Sequence, residues 1–172
     1  MKIMNACIAA AALFAAGCAS YSWKASVPED MRTVDVPVFR NESSVTELGG
    51  EMSAQVAREL QREGTFTLST EPAIEVQGVV KSVTTMSRGL DRMNATRNGE
   101  YVMTAVVEVS LVDKKAGRTL FDARRYVSRT TIYADFDLVG AERAAAGRLA
   151  EQIARQVVDD MLHRDWTKGD GK

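Results

Sequence analysis

The stretch Tyr101-Val-Met-Thr-Ala-Val-Val-Glu-Val-Ser-Leu-Val-Asp113 decides the fold of this chain. Every second residue in it is apolar, and more polar residues such as Thr104, Glu108 and Ser110 stand between them. An apolar period of two residues is typical of a β-strand that buries one face. The valines also favour a strand, because β-branched side chains pack well on a pleated surface. The sequence therefore predicts a long, half-buried strand here.

Two more strands flank this one. Residues 74–88 alternate between apolar and more polar side chains, which predicts a strand before it. The tight connection Lys114–Gly117 leads to a further strand over Thr119–Ile132, which forms a hairpin with the central strand. This last strand is unusually polar, since it is interrupted by Asp122, Arg124, Arg125, Ser128 and Arg129. We expect it to lie at a sheet edge or to face something other than the core of its own domain.

The domain is predicted to begin with a strand over Thr33–Phe39, in which three valines share one side. Pro37 has no backbone N–H to donate, which favours an edge position or the end of a strand. Residues 65–69 contain Phe66 and Leu68 at strand spacing. They predict a short strand that returns beside the first.

Two helices complete the predicted elements. Ser44 and Glu47 have the spacing of a capping box, and the helix after them runs to about Glu63, where Gly64 is placed to end it. A second helix over Val139–His163 has an amphipathic stripe, whose usual role is packing on a sheet. Its two apolar rows are formed by Leu149, Ile153, Val157 and Met161, and by Ala146, Ala150, Ala154, Val158 and Leu162.

The element order β-α-β-β-β-β-α predicts an α+β fold. In it, two helices pack on one face of a mixed sheet of four to five strands. We expect a single domain over residues 32–166, followed by a frayed tail over residues 167–172.

Residues 1–17 are typical of a secretory signal peptide. Lys2 precedes a short apolar run, and Ala15-Ala16-Gly17-Cys18 then places small residues before a cysteine. The run is too short to span a bilayer, which needs about 20 helical residues. The cysteine resembles that of the bacterial lipobox, from which Ala15 departs because the pattern prefers leucine there. We expect cleavage after residue 17 and lipidation of Cys18, and the alternative is a plain cleavable signal with an unmodified Cys18.

Residues 18–31 are interpreted as the lipidated N-terminus and a tether. Lipoproteins that carry this motif are usually triacylated, with palmitate among the chains, and Ala19 after the cysteine implies sorting to the outer membrane, facing the periplasm. Tyr21 and Trp23 lie close to this anchor. Their amphipathic rings suit a membrane interface or a partner's surface, and packing on the domain itself is an equal alternative.

Composition argues against several classes of function. The formal net charge is -1, so no basic field indicates nucleic-acid binding. Cys7 lies in the leader and Cys18 would carry the lipid, which leaves no thiol for a disulfide, a metal or catalysis. His163 is the only histidine and suits a helix C-terminus. Asp135-Phe136-Asp137 could suggest a metal pair, but carboxylates before a helix more often cap it. We expect no metal, no cofactor and no enzyme activity.

Arginines are the candidate binding residues. Arg88, Arg92 and Arg97 lie in the segment that joins two long strands, and guanidinium groups bind phosphate in bidentate fashion. Arg125 and Arg129 form a second set and share a strand face, to which Arg124 is opposite. This second set could extend a phosphate-binding surface or face carboxylates of a partner. A structural cross-strand pair, for example with Glu108, is equally compatible with the sequence.

The order and spacing of these elements resemble the LptE-type lipopolysaccharide-assembly lipoproteins. The resemblance starts at the lipobox and the segment Thr33-Val-Asp-Val-Pro-Val-Phe-Arg-Asn41, which precedes the capped helix. It continues through the strand with a central Gly78, the long hairpin and an alanine-rich helix that ends at Trp166, and so covers nearly the whole mature chain. Curli-secretion lipoproteins and penicillin-binding-protein activators share a similar opening.

The resemblance implies a non-enzymatic outer-membrane lipoprotein that plugs an LptD-type β-barrel and assists lipopolysaccharide assembly. Because lipid A carries phosphates, it makes Arg88, Arg92, Arg97, Arg125 and Arg129 the candidate lipopolysaccharide-binding residues. The alternative function is a periplasmic lipoprotein that regulates a cell-wall synthase or forms part of a secretion pore.

Overall fold

The computed structural model describes residues 27–89, 99–134 and 136–166. After a short 3-10 turn at Glu29–Met31, the described elements follow the predicted order. They are β1 (Thr33–Asp35), β2 (Arg40–Asn41), α1 (Leu48–Glu63), β3 (Thr67–Leu68), β4 (Ile74–Gly89), β5 (Gly99–Asp113), β6 (Arg118–Ala134) and α2 (Leu138–Leu162).

The strands form one mixed sheet in the order β3-β1-β4-β5-β6, and β2 pairs with β4 beyond the end of β1. β1 is parallel to β3 and to β4, and β2 is also parallel to β4, whereas the pairs β4–β5 and β5–β6 are antiparallel. This confirms the predicted α+β class, the short strand beside the first, the hairpin and the edge position of the polar strand. The two helices pack on each other and on one face of the sheet.

The predicted strand Thr33–Phe39 is divided into β1 and β2, so the sheet has six strands. Pro37 lies in the break, where it has no ladder hydrogen bond to donate. Phe39 is 2% exposed and places its ring over Gly78 of β4, where a Cβ atom would lie only 2.2 Å from the ring. Gly78 therefore lets the aromatic ring approach the sheet, which no larger residue would allow.

The predicted capping box is wrong. The α1 helix begins at Leu48, and the side chain of Glu47 makes no capping hydrogen bond but lies 3.2 Å from Arg143 of α2. Asn41 organises the preceding turn instead: its Nδ2 donates to the carbonyl oxygen of Val45 at 2.7 Å. This bond fixes the turn that leads into α1. Because it is donated to a carbonyl oxygen, it does not satisfy the free N–H groups of the first helical turn and is not an N-cap.

The helix ends agree more closely with the sequence. Gly64 adopts the left-handed conformation, with φ of 71°, and its N–H donates to Leu60 at the end of α1. Asp137 caps the start of α2 by accepting from the N–H of Gly140 at 2.8 Å. At the other end, His163 lies with its Nδ1 2.9 Å from the carbonyl oxygen of Asp159. The predicted capping roles of Asp137 and His163 are thus confirmed.

The core lies between the helices and the covered face of the sheet. On β5, the row predicted from the period of two is buried from Met103 to Leu111. Both predicted rows of α2 face this core, and its most deeply buried side chains are Leu149, Ile153, Val157 and Met161. Within the described residues, no helix has the length and apolar character needed to cross a membrane.

Candidate functional site

No helix of the described chain covers the second face of the β4-β5-β6 sheet, which we call the open face. The register between β5 and β6 defines its members on these two strands, because residues directly opposite one another project to the same side. From the middle of the sheet towards its far end, the opposed pairs are Glu108 and Arg125, Val106 and Val127, Thr104 and Arg129, Val102 and Thr131, and Glu100 and Tyr133.

Arg125 and Arg129 project from this face on the edge strand, and both are exposed. In the part of the chain that the structure describes, neither guanidinium forms an ion pair or a side-chain hydrogen bond. Glu108 is the register partner of Arg125, as the sequence allowed, but their charged groups do not come within ion-pair distance. Two unpaired cations on one strand face are free to bind an anion.

Exposed apolar side chains share the open face with these cations. Val127 lies between the two arginines and is 39% exposed, while Tyr133 and Met86 are 68% and 69% exposed. Exposed large apolar side chains beside unpaired guanidinium groups make an amphipathic surface. Such a surface matches a ligand or partner that carries both negative charge and apolar groups.

Arg124 has a different role, as its opposite orientation predicts. It lies on the covered side of β6, where its guanidinium is 3.1 Å from the carboxylate of Asp160 on α2. The hydroxyl of Tyr126 donates to the same carboxylate at 2.8 Å. Burial, and then the hydrogen bond to Asp160, raise the pKa of Tyr126. Sequence reasoning missed this cluster, which ties the edge strand to the helix layer.

A β-bulge decides which arginines reach the open face. Ala123 has a φ of 43°, and its N–H donates to the hydroxyl of Ser110 at 2.9 Å. The bulge inserts one extra residue between Phe121 and Arg124, which lie opposite Leu111 and Val109 on the covered side. Without the extra residue the alternation would be inverted, and Arg125 would point at the helices.

The structure places the other predicted site residues as follows. Arg88 lies near the end of β4, and its guanidinium is 3.4 Å from Glu100 in a largely exposed ion pair. Arg88 lies on β4 beside the start of β5, whereas Arg125 and Arg129 lie on β6 opposite Glu108 and Thr104, so the structure does not group the three arginines. Arg92, Arg97 and Cys18 lie outside the described residues, as do the predicted signal peptide, the tether before Val27 and the tail. In the described ranges, no three His, Cys, Asp or Glu side chains are grouped so that they could hold a metal ion.

Solved structures share this fold at low sequence identity. A homologue of a neuraminyllactose-binding hemagglutinin from Helicobacter pylori matches with a TM-score of 0.52 and 10% identity, over 83% of this chain and 89% of its own. A DUF330-family protein from Xanthomonas campestris matches with a TM-score of 0.52 and 10% identity, over 76% and 83%. A Chlamydia trachomatis protein gives 0.50 and 12%, over 79% and 98%. At these identities the similarity is one of fold alone.

The sequence comparison is more specific. A comparison with curated proteins finds no significant match. The family model for LptE, described as lipopolysaccharide-assembly, matches residues 31–161, which is most of the chain and nearly the whole described domain. This match confirms the resemblance that the element order indicates, and the chain therefore belongs to the LptE family.

Proposed function

We propose that this protein is an outer-membrane lipoprotein that occupies an LptD-type β-barrel and assists lipopolysaccharide assembly there. The LptE family is one of non-enzymatic lipoproteins, and the proposal assigns no catalysis to this member. The observation that carries it is the pair of unpaired arginines, Arg125 and Arg129, on the amphipathic open face of a family member.

In this function, the lipid on Cys18 holds the domain at the periplasmic surface of the outer membrane. The open face lines the path of lipopolysaccharide, because it is the sheet face that the helices leave uncovered. Arg125 and Arg129 engage phosphates of lipid A, while Val127 and Tyr133 contact its apolar part. Each charge-assisted hydrogen bond is worth about 1.5–3 kcal/mol when desolvated.

The segment between β4 and β5 extends this site. Arg88 supports the extension, because its ion pair with Glu100 is exposed and costs little to break: such pairs contribute about 0–1 kcal/mol. Arg92 and Arg97 supply the further cations that the sequence places in the same segment. Replacement of Arg88, Arg92 and Arg97 together by glutamate is expected to weaken lipopolysaccharide binding without unfolding the domain.

The partner is tested by affinity purification of the tagged, lipidated protein from detergent-solubilised envelopes, with mass spectrometry of the co-purifying proteins. A large outer-membrane barrel at one-to-one stoichiometry supports the proposal. Recovery of a penicillin-binding protein, or of a ring of this chain alone, would overturn it in favour of synthase regulation or a secretion pore.

The open face is tested by the double variant Arg125→Glu/Arg129→Glu. We expect its affinity for purified lipopolysaccharide to fall by more than about tenfold, since two charge-assisted contacts are lost. Arg148→Glu is the matched control, because Arg148 is also exposed and unpaired in the described chain but lies on α2. Equal binding by the folded double variant and the control would remove the open face from the mechanism.

A further inference from the structure

A groove of about 800 Å³ opens at the end of the domain where both helices terminate. Its walls include Gly64 after α1, together with Gln156, Val158 and Leu162 on the last turns of α2. Its volume lies in the range of protein sites that bury a large part of a ligand. No described residue of the open face lines this groove, so the two are separate surfaces of the domain.

The first described residue of the chain lies in the wall of this groove. Val27 is 2% exposed and belongs to the core, and its carbonyl oxygen accepts a hydrogen bond from Nε of Arg32 at 3.2 Å. The N–H of Met31 donates to Pro28 at 2.9 Å and closes the next turn. The backbone is therefore held at the groove, and the residues before Val27 start from its edge.

Those preceding residues have a regular pattern. Ala19, Tyr21, Trp23 and Ala25 alternate with Ser20, Ser22, Lys24 and Ser26, and Val27 continues the apolar set. This period of two is that of an extended segment with one apolar and one polar side. Trp23 is four residues from Val27, a distance of at most about 14 Å in extended chain. Both aromatic side chains can thus reach a groove whose wall contains Val27.

We propose that this groove is the docking site of the chain's own N-terminal segment, with Tyr21 and Trp23 as the side chains that fill it. Aromatic residues each bury about 150–250 Å², and the rings of tyrosine and tryptophan also carry a polar group. They suit this groove, whose lining combines apolar side chains with charged ones such as Arg62 and Asp159. No partner has to be recruited, since the segment is covalently joined at the edge of the groove. The inference is independent of the barrel partnership proposed above.

Docking of the segment changes what the tether does. Cys18 is only nine residues before Val27. If Tyr21 and Trp23 are held in the groove, the lipid leaves the domain almost directly from the end where the helices terminate. The anchored domain is then oriented with this end towards the membrane, and β6 runs away from the bilayer. A loose linker would instead let the domain rotate freely.

Disulfide cross-linking of the full-length, lipidated protein in native membranes tests the proposal. The pair Trp23→Cys and Gln156→Cys is expected to cross-link under mild oxidation, seen as a loss of maleimide labelling that reductant restores. The matched control pairs Trp23→Cys with Arg148→Cys. Arg148 is exposed and lies eight residues, or about 12 Å, before Gln156 on α2, away from the groove. Gln156→Cys alone controls for reaction with Cys18.

A second measurement separates the groove from the membrane as the site of Trp23. Trp166→Phe leaves Trp23 as the only tryptophan, and the lipidated variant is placed in nanodiscs that contain brominated phospholipid. A ring in the groove gives blue-shifted emission that resists both acrylamide and bromine quenching. Strong bromine quenching, together with no cross-link at Gln156 above the Arg148 control, would overturn the proposal and place the ring in the bilayer interface.

Discussion

The hydroxyl of Tyr126 on the edge strand donates a 2.8 Å hydrogen bond to the carboxylate of Asp160 on the last helix. The same carboxylate lies 3.1 Å from the guanidinium of Arg124. The edge of a sheet is otherwise held by one neighbouring strand only, and this contact adds a second support from the helix layer. It stiffens the strand that presents Arg125 and Arg129.

We expect Tyr126→Phe to destabilise the domain by about 1–2 kcal/mol, because it removes a hydrogen bond to a charged acceptor and keeps the ring. Urea unfolding of the purified protein, followed by circular dichroism, measures the change. Tyr133→Phe is the control, since Tyr133 is 68% exposed on the open face and should lose nothing measurable. Equal stabilities of the two variants would show that the bond to Asp160 contributes nothing.

The same tyrosine predicts an alkaline limit to stability. Its pKa is raised in the fold from an ordinary value of 10.0, by burial and by the Asp160 carboxylate. A raised pKa means that the folded state holds the proton more tightly, so stability is fully present below pH 10 and falls as the pH rises above it. Urea midpoints measured across this range should fall more steeply for the wild type than for Tyr126→Phe.

Asp113 predicts the corresponding acid limit. It is buried at the turn between β5 and β6, where it accepts from the N–H groups of Lys115 and Ala116 at 3.1 and 2.9 Å and pairs with Arg118 at 3.3 Å. Burial acts to raise the pKa of Asp113, but these hydrogen bonds outweigh it and lower the pKa from its ordinary value of 3.8. Its contribution to stability is present above that value and is lost as the pH falls through the folded-state pKa.

We therefore expect Asp113→Asn to be less stable than the wild type at pH 7, by about 1–3 kcal/mol. The difference in the free energy of unfolding between the two proteins should become smaller as the pH is lowered below 3.8. Denaturant titrations of both proteins at neutral and acid pH test this directly. If this difference in the free energy of unfolding stays constant with pH, the charge of the Asp113 carboxylate does not stabilise the turn.

The Phe39 ring limits the size of the side chain that position 78 can hold. A Cβ atom at this position would lie 2.2 Å from the ring of Phe39, so we expect Gly78→Ala to cost about 1–3 kcal/mol. Gly50 is the matched control: it lies in α1 with open space around it, and Gly50→Ala should stabilise slightly. Gly78→Ala should cost less stability in a Phe39→Ala background than in the wild type, because the ring that the new methyl group would meet is absent. Thermal unfolding of the four proteins can measure this difference.

Ala123 predicts a gain of stability. With a φ of 43° it occupies the left-handed region, which costs a residue with a Cβ about 1–2 kcal/mol. Glycine relieves this cost and loses about 0.5–1 kcal/mol in chain entropy, so Ala123→Gly should stabilise by about 0.5–1 kcal/mol. Ala134→Gly on the same strand should destabilise. A loss of stability in Ala123→Gly would indicate that the bulge is not strained.

Local periodicity explains what the sequence could predict. The buried row of β5, both rows of α2 and the opposite orientations of Arg124 and Arg125 follow from the two-residue and 3.6-residue periods of strands and helices. Gly64 and Asp137 likewise act on backbone groups a few residues away. These features depend on neighbours in the chain, and so the sequence by itself determined them.

Only the tertiary structure decided the features that join distant residues. The bulge at Ala123 selects the face that Arg125 and Arg129 occupy, and it depends on Ser110 of the neighbouring strand. Asn41 orders the turn before α1 while its own strand pairs with β4, and the Tyr126–Asp160 bond joins residues 34 apart. The physical reason is that a hydrogen bond or a close approach needs two groups at one place. Sequence periodicity fixes the direction of each side chain from its own element, whereas packing of the elements determines what that side chain meets.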